Sequence, residues 1–339
     1  MKTARFWHAV EDGVVECELC PHHCRMVEGM RSRCHGRVNH GGVLMAETWG
    51  MPVAMCEDPI EKKPLNHFLP GSSVLSLGTL GCNLSCRFCQ NWELSHPAGG
   101  VSNRGRPVLP EEVARAAAGR KTPSVAMTYN EPAVWAEYAM DIADACHGAG
   151  VRTVAVTSGY FEIESGREFF RKMDAANVDL KSFRDDFYRQ LCGARLAPVL
   201  ETLEMVRRET DCWLEVTTLL VPGWNDSDGE LDELTSWVAG HLGAETPLHF
   251  SAFHPDGEMR DVPPTPLDSL RRARERATGN GLRYVYAGNV RRMADWTATR
   301  CASCGETLVE RDGFEAKIVG MKGGGCCAAC GTFCAGVWE

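Results

Sequence analysis

Thr79-Leu80-Gly81-Cys82-Asn83-Leu84-Ser85-Cys86-Arg87-Phe88-Cys89-Gln90-Asn91-Trp92 is the stretch on which the reading of this chain turns. It follows the apolar run Val74–Leu77, which predicts a buried strand and places three thiols on the loop leaving it. Iron–sulfur clusters are held by cysteine thiolates. Three of them at C-x3-C-x2-C satisfy three corners of a four-iron cube and leave the fourth iron open to a ligand other than protein. The competing readings are a zinc knuckle short of one ligand, or three reduced thiols packed as small hydrophobes. Phe88, immediately before the last cysteine, favours the cluster.

From Val74 onward, apolar runs alternate with amphipathic stretches. The predicted strands are Val74–Leu77, Val125–Tyr129, Thr153–Thr157, Val178–Leu180, Trp213–Val221, Leu248–Phe253 and Leu282–Tyr286. One helix opens at Pro110 with Glu111 and Glu112 in its first turn, where the helix dipole favours acids. Another follows Pro132, with Trp135, Ala139, Ile142, Ala143 and Cys146 on one buried face and Gly148 and Gly150 at its end. Strands alternating with helices imply βαβ units and a parallel sheet, hence an α/β fold with a full or partial TIM-type (β/α) barrel. Functional groups of such barrels come from the C-terminal ends of strands.

Those ends nominate particular residues. Glu131 falls just past the second strand, after Asn130; the plainer reading is a turn residue before Pro132. Asp179 and Lys181, two apart, face the same side and point into the barrel mouth, unless they are a structural ion pair. Ser158 and His254 follow the third and sixth strands; an isolated histidine beside a proline is also explained as a satisfied hydrogen-bonding group. The segment Glu57–His67, punctuated by Pro59 and Pro64, reads most simply as a solvated connector, while its position beside the cysteine loop leaves a substrate role open. Val43–Met45 and Val53–Met55 read as strands of a lead-in sheet.

The 339 residues carry 17 cysteines, and their grouping points to metal rather than disulfides. Cys17, Cys20, Cys24 and Cys34 suit a zinc site or a second iron–sulfur cluster in a small metal-folded knob. Cys301-x2-Cys304 and Cys327-x2-Cys330 bracket a hairpin with Asp312-Gly313 at its turn, the pattern of a zinc ribbon or rubredoxin-like knob; Cys326 and Cys334 are spare. Cys56, Cys146, Cys192 and Cys212 are scattered and read as packing. The expected organisation is an N-terminal Cys-rich metal module and lead-in over 1–70, a barrel over 71–295 and a zinc-ribbon-like module over 296–339. A net charge of −9 argues against nucleic acid as a partner. The N-terminus lacks an apolar core of secretory length, and no run approaches the ~18 apolar residues of a membrane helix, so a cytoplasmic location with no membrane partner is expected.

The cysteine spacing resembles the signature of radical S-adenosylmethionine (SAM) enzymes. Asp179-Leu180-Lys181, Val221–Asp226 and Phe253-His254-Pro255 are similar to strand-end segments of the pyruvate formate-lyase activating enzymes. Closer still is the AmmeMemoRadiSam branch. It shares Cys17-Glu18-Leu19-Cys20-Pro21, Glu61-Lys62-Lys63-Pro64, Cys89-Gln90-Asn91, Thr128–Pro132, Tyr286–Val290 and a cysteine-rich tail, in a match running from Phe6 to the end. Two departures separate the chain from glycyl-radical activases: its extra cysteines precede the SAM motif, and minimal activases lack the tail. The resemblance implies a 4Fe-4S cluster on Cys82, Cys86 and Cys89, with SAM on its open iron and Asn130, Glu131, Ser158, Asp179, Lys181 and His254 as cofactor contacts. It implies reductive cleavage of SAM to a 5′-deoxyadenosyl radical that abstracts hydrogen from a substrate. A low-potential donor, flavodoxin or ferredoxin, is expected, with Memo-like and AMMECR-like proteins as associates. The alternatives are an activase acting on a partner's glycine and a non-catalytic metal-binding adaptor.

Overall fold

Short runs rich in Val, Ala and Leu form parallel strands when both faces of a sheet are covered. The computed structural model describes residues 2–97, 106–290 and 293–339. An edge strand, β1 (Ala54–Pro59), runs antiparallel to β2 (Ser73–Gly78). Six more strands then add in parallel: β3 (Ser124–Met127), β4 (Arg152–Thr157), β5 (Ala175–Asp179), β6 (Trp213–Leu220), β7 (Leu248–Ala252) and β8 (Val285–Gly288). The sheet follows chain order from β1 to β8, and those two edges do not pair, so the barrel is partial. Helices α1 (Pro110–Arg120), α2 (Ala136–Gly148), α3 (Ile163–Phe170), α4 (Ala197–Glu209), α5 (Asp228–Trp237) and α6 (Leu267–Gly279) fill the crossovers. Among the described residues, no helix is long and apolar enough to cross a membrane.

The segment 57–67 is not a solvated connector. Its first three residues complete β1, and a 3-10 turn follows at Ile60–Lys62. Ile60, Leu65, Phe68 and Leu69 then pack with Val74, Ala126, Val154 and Ala175 across the N-terminal side of the strands, plugging that end of the barrel. Asp58, Glu61, Lys63, Asn66 and His67 are all buried in the process. Burial of so many charged groups is tolerated because each is paired. Lys63 Nζ meets Asp58 Oδ2 at 2.7 Å, and the Asn66 and His67 amides donate to the Glu215 carboxylate at 3.0 and 2.7 Å. The barrel sheet thus takes in residues 54–59, which the sequence assigns to the lead-in, and residue 70 lies inside one packed unit. Val43–Ala46 does belong to a separate three-stranded sheet at the N-terminus.

The C-terminal ribbon closes the same end. Its hairpin pairs Asp312 with Glu315, so the turn is Gly313-Phe314, one residue later than expected, with Gly313 at φ 60. Arg311 is buried and donates to the Asn66 carbonyl at 2.7 Å. His67 Nδ1–H donates to the Ala335 carbonyl, and His67 Nε2 accepts from the Tyr286 hydroxyl, each at 2.6 Å. Val337 bridges to Phe68, and Arg152, at the start of β4, reaches the Glu339 carbonyl. The ribbon therefore caps the barrel floor and leaves the opposite mouth clear.

These contacts make docking of the tail sensitive to acid. Burial lowers His67 from 6.5 to about 4. The unfolded chain takes up this proton first, so the contribution of neutral His67 is complete above about 6.5 and is lost as the pH falls toward 4. Unfolding midpoints measured from pH 7 to pH 4 should fall through this window, and a His67→Gln variant should show a shallower fall. Identical slopes would rule out His67 as the sensor.

Candidate active site

The strand ends converge on a cavity of about 320 Å³ at the barrel mouth, a volume suited to a small molecule. Cys82, Cys86 and Cys89 line it together with Asn130, Glu131, Ser158, Asp179 and Lys181. Of the cofactor contacts expected from sequence, His254 alone does not line the cavity. It is exposed at the rim, 3.2 Å from Gln90 Nε2. Phe253, just past the end of β7, is buried beside it.

Each wall residue is set by the element that carries it. Gly78 ends β2 beside Tyr129, and a Cβ there would lie 2.8 Å from the Thr128 carbonyl, so only glycine lets the two strand ends approach. Tyr129 is held at φ 70, an uncommon conformation for a bulky residue. Its hydroxyl donates to Asp58 Oδ2 at 2.7 Å, and Asn91 Nδ2 donates to its carbonyl. Asn130 clamps the cysteine loop: Oδ1 accepts from the Thr79 amide at 2.9 Å, while Nδ2 donates to Thr79 Oγ1 and the Gly81 carbonyl. With both amide hydrogens used, Asn130 positions the loop. Glu131 caps the turn at Pro132–Trp135 through the Ala133 amide and also accepts from the Ser158 amide and the Thr157 hydroxyl. Asp179 and Lys181 meet at 2.8 Å inside the mouth. Burial alone would lower Lys181, but Asp179 together with the Cys86 and Cys192 sulfurs outweighs it and raises the ammonium.

Burial first, and the facing Glu131 carboxylate second, push the Cys82 thiol well up, and burial raises Cys89. Such thiols ionise when a cation arrives. Cys192, which reads as packing in the sequence, sits against Cys86, and their hydrogen bond lowers Cys86. Two further wall atoms, Ser158 Oγ and Thr217 Oγ1, are buried with no hydrogen-bond partner. Orphaned polar atoms in a cavity wall call for a polar ligand. Three thiols, a carboxylate, an Asp–Lys pair and two orphaned hydroxyls fit a thiolate-held cluster with a zwitterionic nucleoside beside it. Thr217 is opposite Asp179 in the sheet register. Its signal was available: Glu215 and Thr217 are polar at alternate positions of the strand, on the inward face of β6. Lys62, Tyr129 and Asn289 also line the mouth and are likewise absent from the expected set.

At the other end, the sulfurs of Cys301, Cys304, Cys327 and Cys330 all lie within 4.8 Å of one another. Cys301–Cys330 and Cys304–Cys327 are 3.5 and 3.7 Å apart. Cys326 and Cys334 stand outside this set; Cys334 packs against His67.

Residues 77–235 match the sequence profile of the Radical SAM superfamily. An uncharacterised protein of Methanocaldococcus jannaschii is 42% identical over 322 residues, 95% of each chain. GTP 3′,8-cyclase of Aeromonas hydrophila is 29% identical over 184 residues, 52% of each chain. Among solved structures, a radical SAM methyltransferase from Sphaerobacter thermophilus superimposes with a TM-score of 0.50 at 18% identity over 71% of each chain, a likeness of fold.

Proposed function

Because this chain belongs to the radical SAM superfamily, we propose that it binds a 4Fe-4S cluster through Cys82, Cys86 and Cys89 and cleaves SAM to abstract hydrogen from a substrate. The observation that carries this reading is the meeting of the three thiols with Glu131 and the Asp179–Lys181 pair in one cavity. When bound there, the cluster supplies the electron that breaks a carbon–sulfur bond of SAM. The residues of the chain bind and orient. Asn130 fixes the cysteine loop, and Glu131, already held by three donors, presents its remaining Oε2 lone pair to the SAM ammonium. Lys181 offers a charge for the SAM carboxylate, and Asp179, Ser158 and Thr217 offer hydrogen bonds to its ribose. Lys62, Tyr129, Asn91 and Asn289, which also line the cavity, are left for the substrate. The plugged floor keeps water from reaching the reacting atoms from that end. Electrons would come from a flavodoxin or ferredoxin. The tail sulfurs, at spacings close to the ~3.8 Å of a tetrahedral zinc site, are assigned zinc.

The test is chemical. Reconstituted under anaerobic conditions and reduced with dithionite, the protein should release 5′-deoxyadenosine and methionine from SAM. A reconstituted, reduced protein that leaves SAM intact would support a non-catalytic adaptor instead. A charge-assisted hydrogen bond contributes about 1.5–3 kcal/mol. Glu131→Gln is therefore expected to weaken SAM binding by about 10- to 100-fold, measured by equilibrium dialysis on cluster-loaded protein. Unchanged affinity would remove Glu131 from the SAM site.

A further inference from the structure

We propose that the N-terminal module holds a second iron–sulfur cluster, ligated by Cys17, Cys20, Cys24 and Cys34 and faced by the buried guanidinium of Arg37. All four thiols and Arg37 line one small cavity. A single zinc ion with Zn–S bonds of about 2.3 Å draws four sulfurs to about 3.8 Å from one another. The tail set has that spacing. Among the described residues, it is the only set of three or more such groups with all ligand atoms within 4.8 Å. The N-terminal thiols share a cavity without forming such a close set, and the same is true of Cys82, Cys86 and Cys89. A polynuclear centre spans a wider set with its own iron and sulfide.

The charge around the cavity agrees. A four-thiolate cluster is anionic, and burying an anion requires a fixed cation. Arg37 is fully buried, donates to Glu137 Oε1 at 2.7 Å and to the Arg5 carbonyl at 2.8 Å, and keeps its Nε buried with no partner. Glu137 already pairs with the guanidinium, and the unpartnered Nε is the hydrogen-bond donor left over. Cys34 also accepts a contact from Ser32 Oγ at 3.1 Å.

The module is seated on the SAM-side cysteine loop. His22 Nε2–H donates to the Asn83 carbonyl at 2.7 Å, and a Cβ on Gly81 would fall 2.1 Å from the Cys34 carbonyl. One cysteine of each set is therefore at, or next to, a backbone contact between the two loops.

The inference does not depend on SAM chemistry, and the experiment separates the two. The full chain carrying Cys82→Ala, Cys86→Ala and Cys89→Ala together is purified and reconstituted anaerobically, and iron, sulfide and zinc are counted per chain. The triple variant should keep about four irons and about four sulfides where the wild type has about eight of each, with about one zinc in both. Reduced, it should give the paramagnetic resonance signal of a four-iron cluster. Adding Cys20→Ala and Cys34→Ala should remove that iron and signal while the zinc stays. An iron-free triple variant with about two zincs would overturn the proposal in favour of a zinc knob, and one with four alkylatable N-terminal thiols and no metal would overturn it outright. Wild type with no more iron than the triple variant would support this centre and sink the SAM-side reading.

Discussion

Replacing Cys86 by alanine is expected to abolish SAM cleavage while leaving the tail zinc in place. Cys86 lies between the other two thiols in the loop and lines the same cavity as Glu131 and Lys181. Losing a group that merely supports a metal ligand costs about 10- to 100-fold, so losing one of three ligands should exceed about 100-fold. Cys192 is the one complication, since its thiol packs against Cys86 and is buried there. It comes from the turn after β5 and could reach the vacated position. Cys86→Ala combined with Cys192→Ala is therefore the cleaner variant. Cys192→Ala alone should retain cleavage, because its role beside an intact Cys86 is packing and one hydrogen bond. The measurement is 5′-deoxyadenosine released per cluster, with zinc counted in the same samples. Cleavage at the wild-type rate in the double variant would remove the loop from the chemistry.

Glu215→Ala is expected to destabilise the chain by about 3–5 kcal/mol, the cost of breaking a buried charged network by removing one partner. Glu215 is fully buried on β6, beneath the cavity. Its two oxygens collect the Asn66 and His67 amides, His249 Nε2 at 2.7 Å and Trp213 Nε1 at 3.1 Å. Burial would raise its carboxyl, but the hydrogen bond and charge of His249 hold it low. Alanine would leave two backbone amides and an imidazole buried without acceptors, directly above the floor where the ribbon docks through His67 and Arg311. Both the barrel plug and the tail should loosen together. Urea unfolding at fixed metal loading measures the change, and a shift below about 1 kcal/mol would show that the floor is held by its apolar contacts.

What could be read from the chain follows the range of the interactions. All seven parallel strands were legible because each is a short apolar run whose burial on two faces leaves a local signature. The cysteine loop was legible because ligand spacing is itself local. β1 was not: Glu57, Asp58 and Pro59 have poor strand propensity, and Pro59 is tolerated because the strand is an edge and the proline ends it. The position of the ribbon was not legible either, because it is set by contacts such as Arg311 to Asn66 and His67 to Ala335, which join residues far apart in sequence. Thr217 was legible but missed: with Glu215 it marks the inward face of β6. His254 was placed by its distance from a strand end, and it stands at the rim beside Gln90 rather than in the cavity wall.

The most direct measurement is the paramagnetic resonance spectrum of the reduced, cluster-loaded protein before and after SAM is added. With three thiolates from Cys82, Cys86 and Cys89, one iron is left for the small molecule, so the signal should shift on addition of SAM, and should not shift in the triple-alanine variant. A wild-type spectrum indifferent to saturating SAM would contradict an open iron at this site.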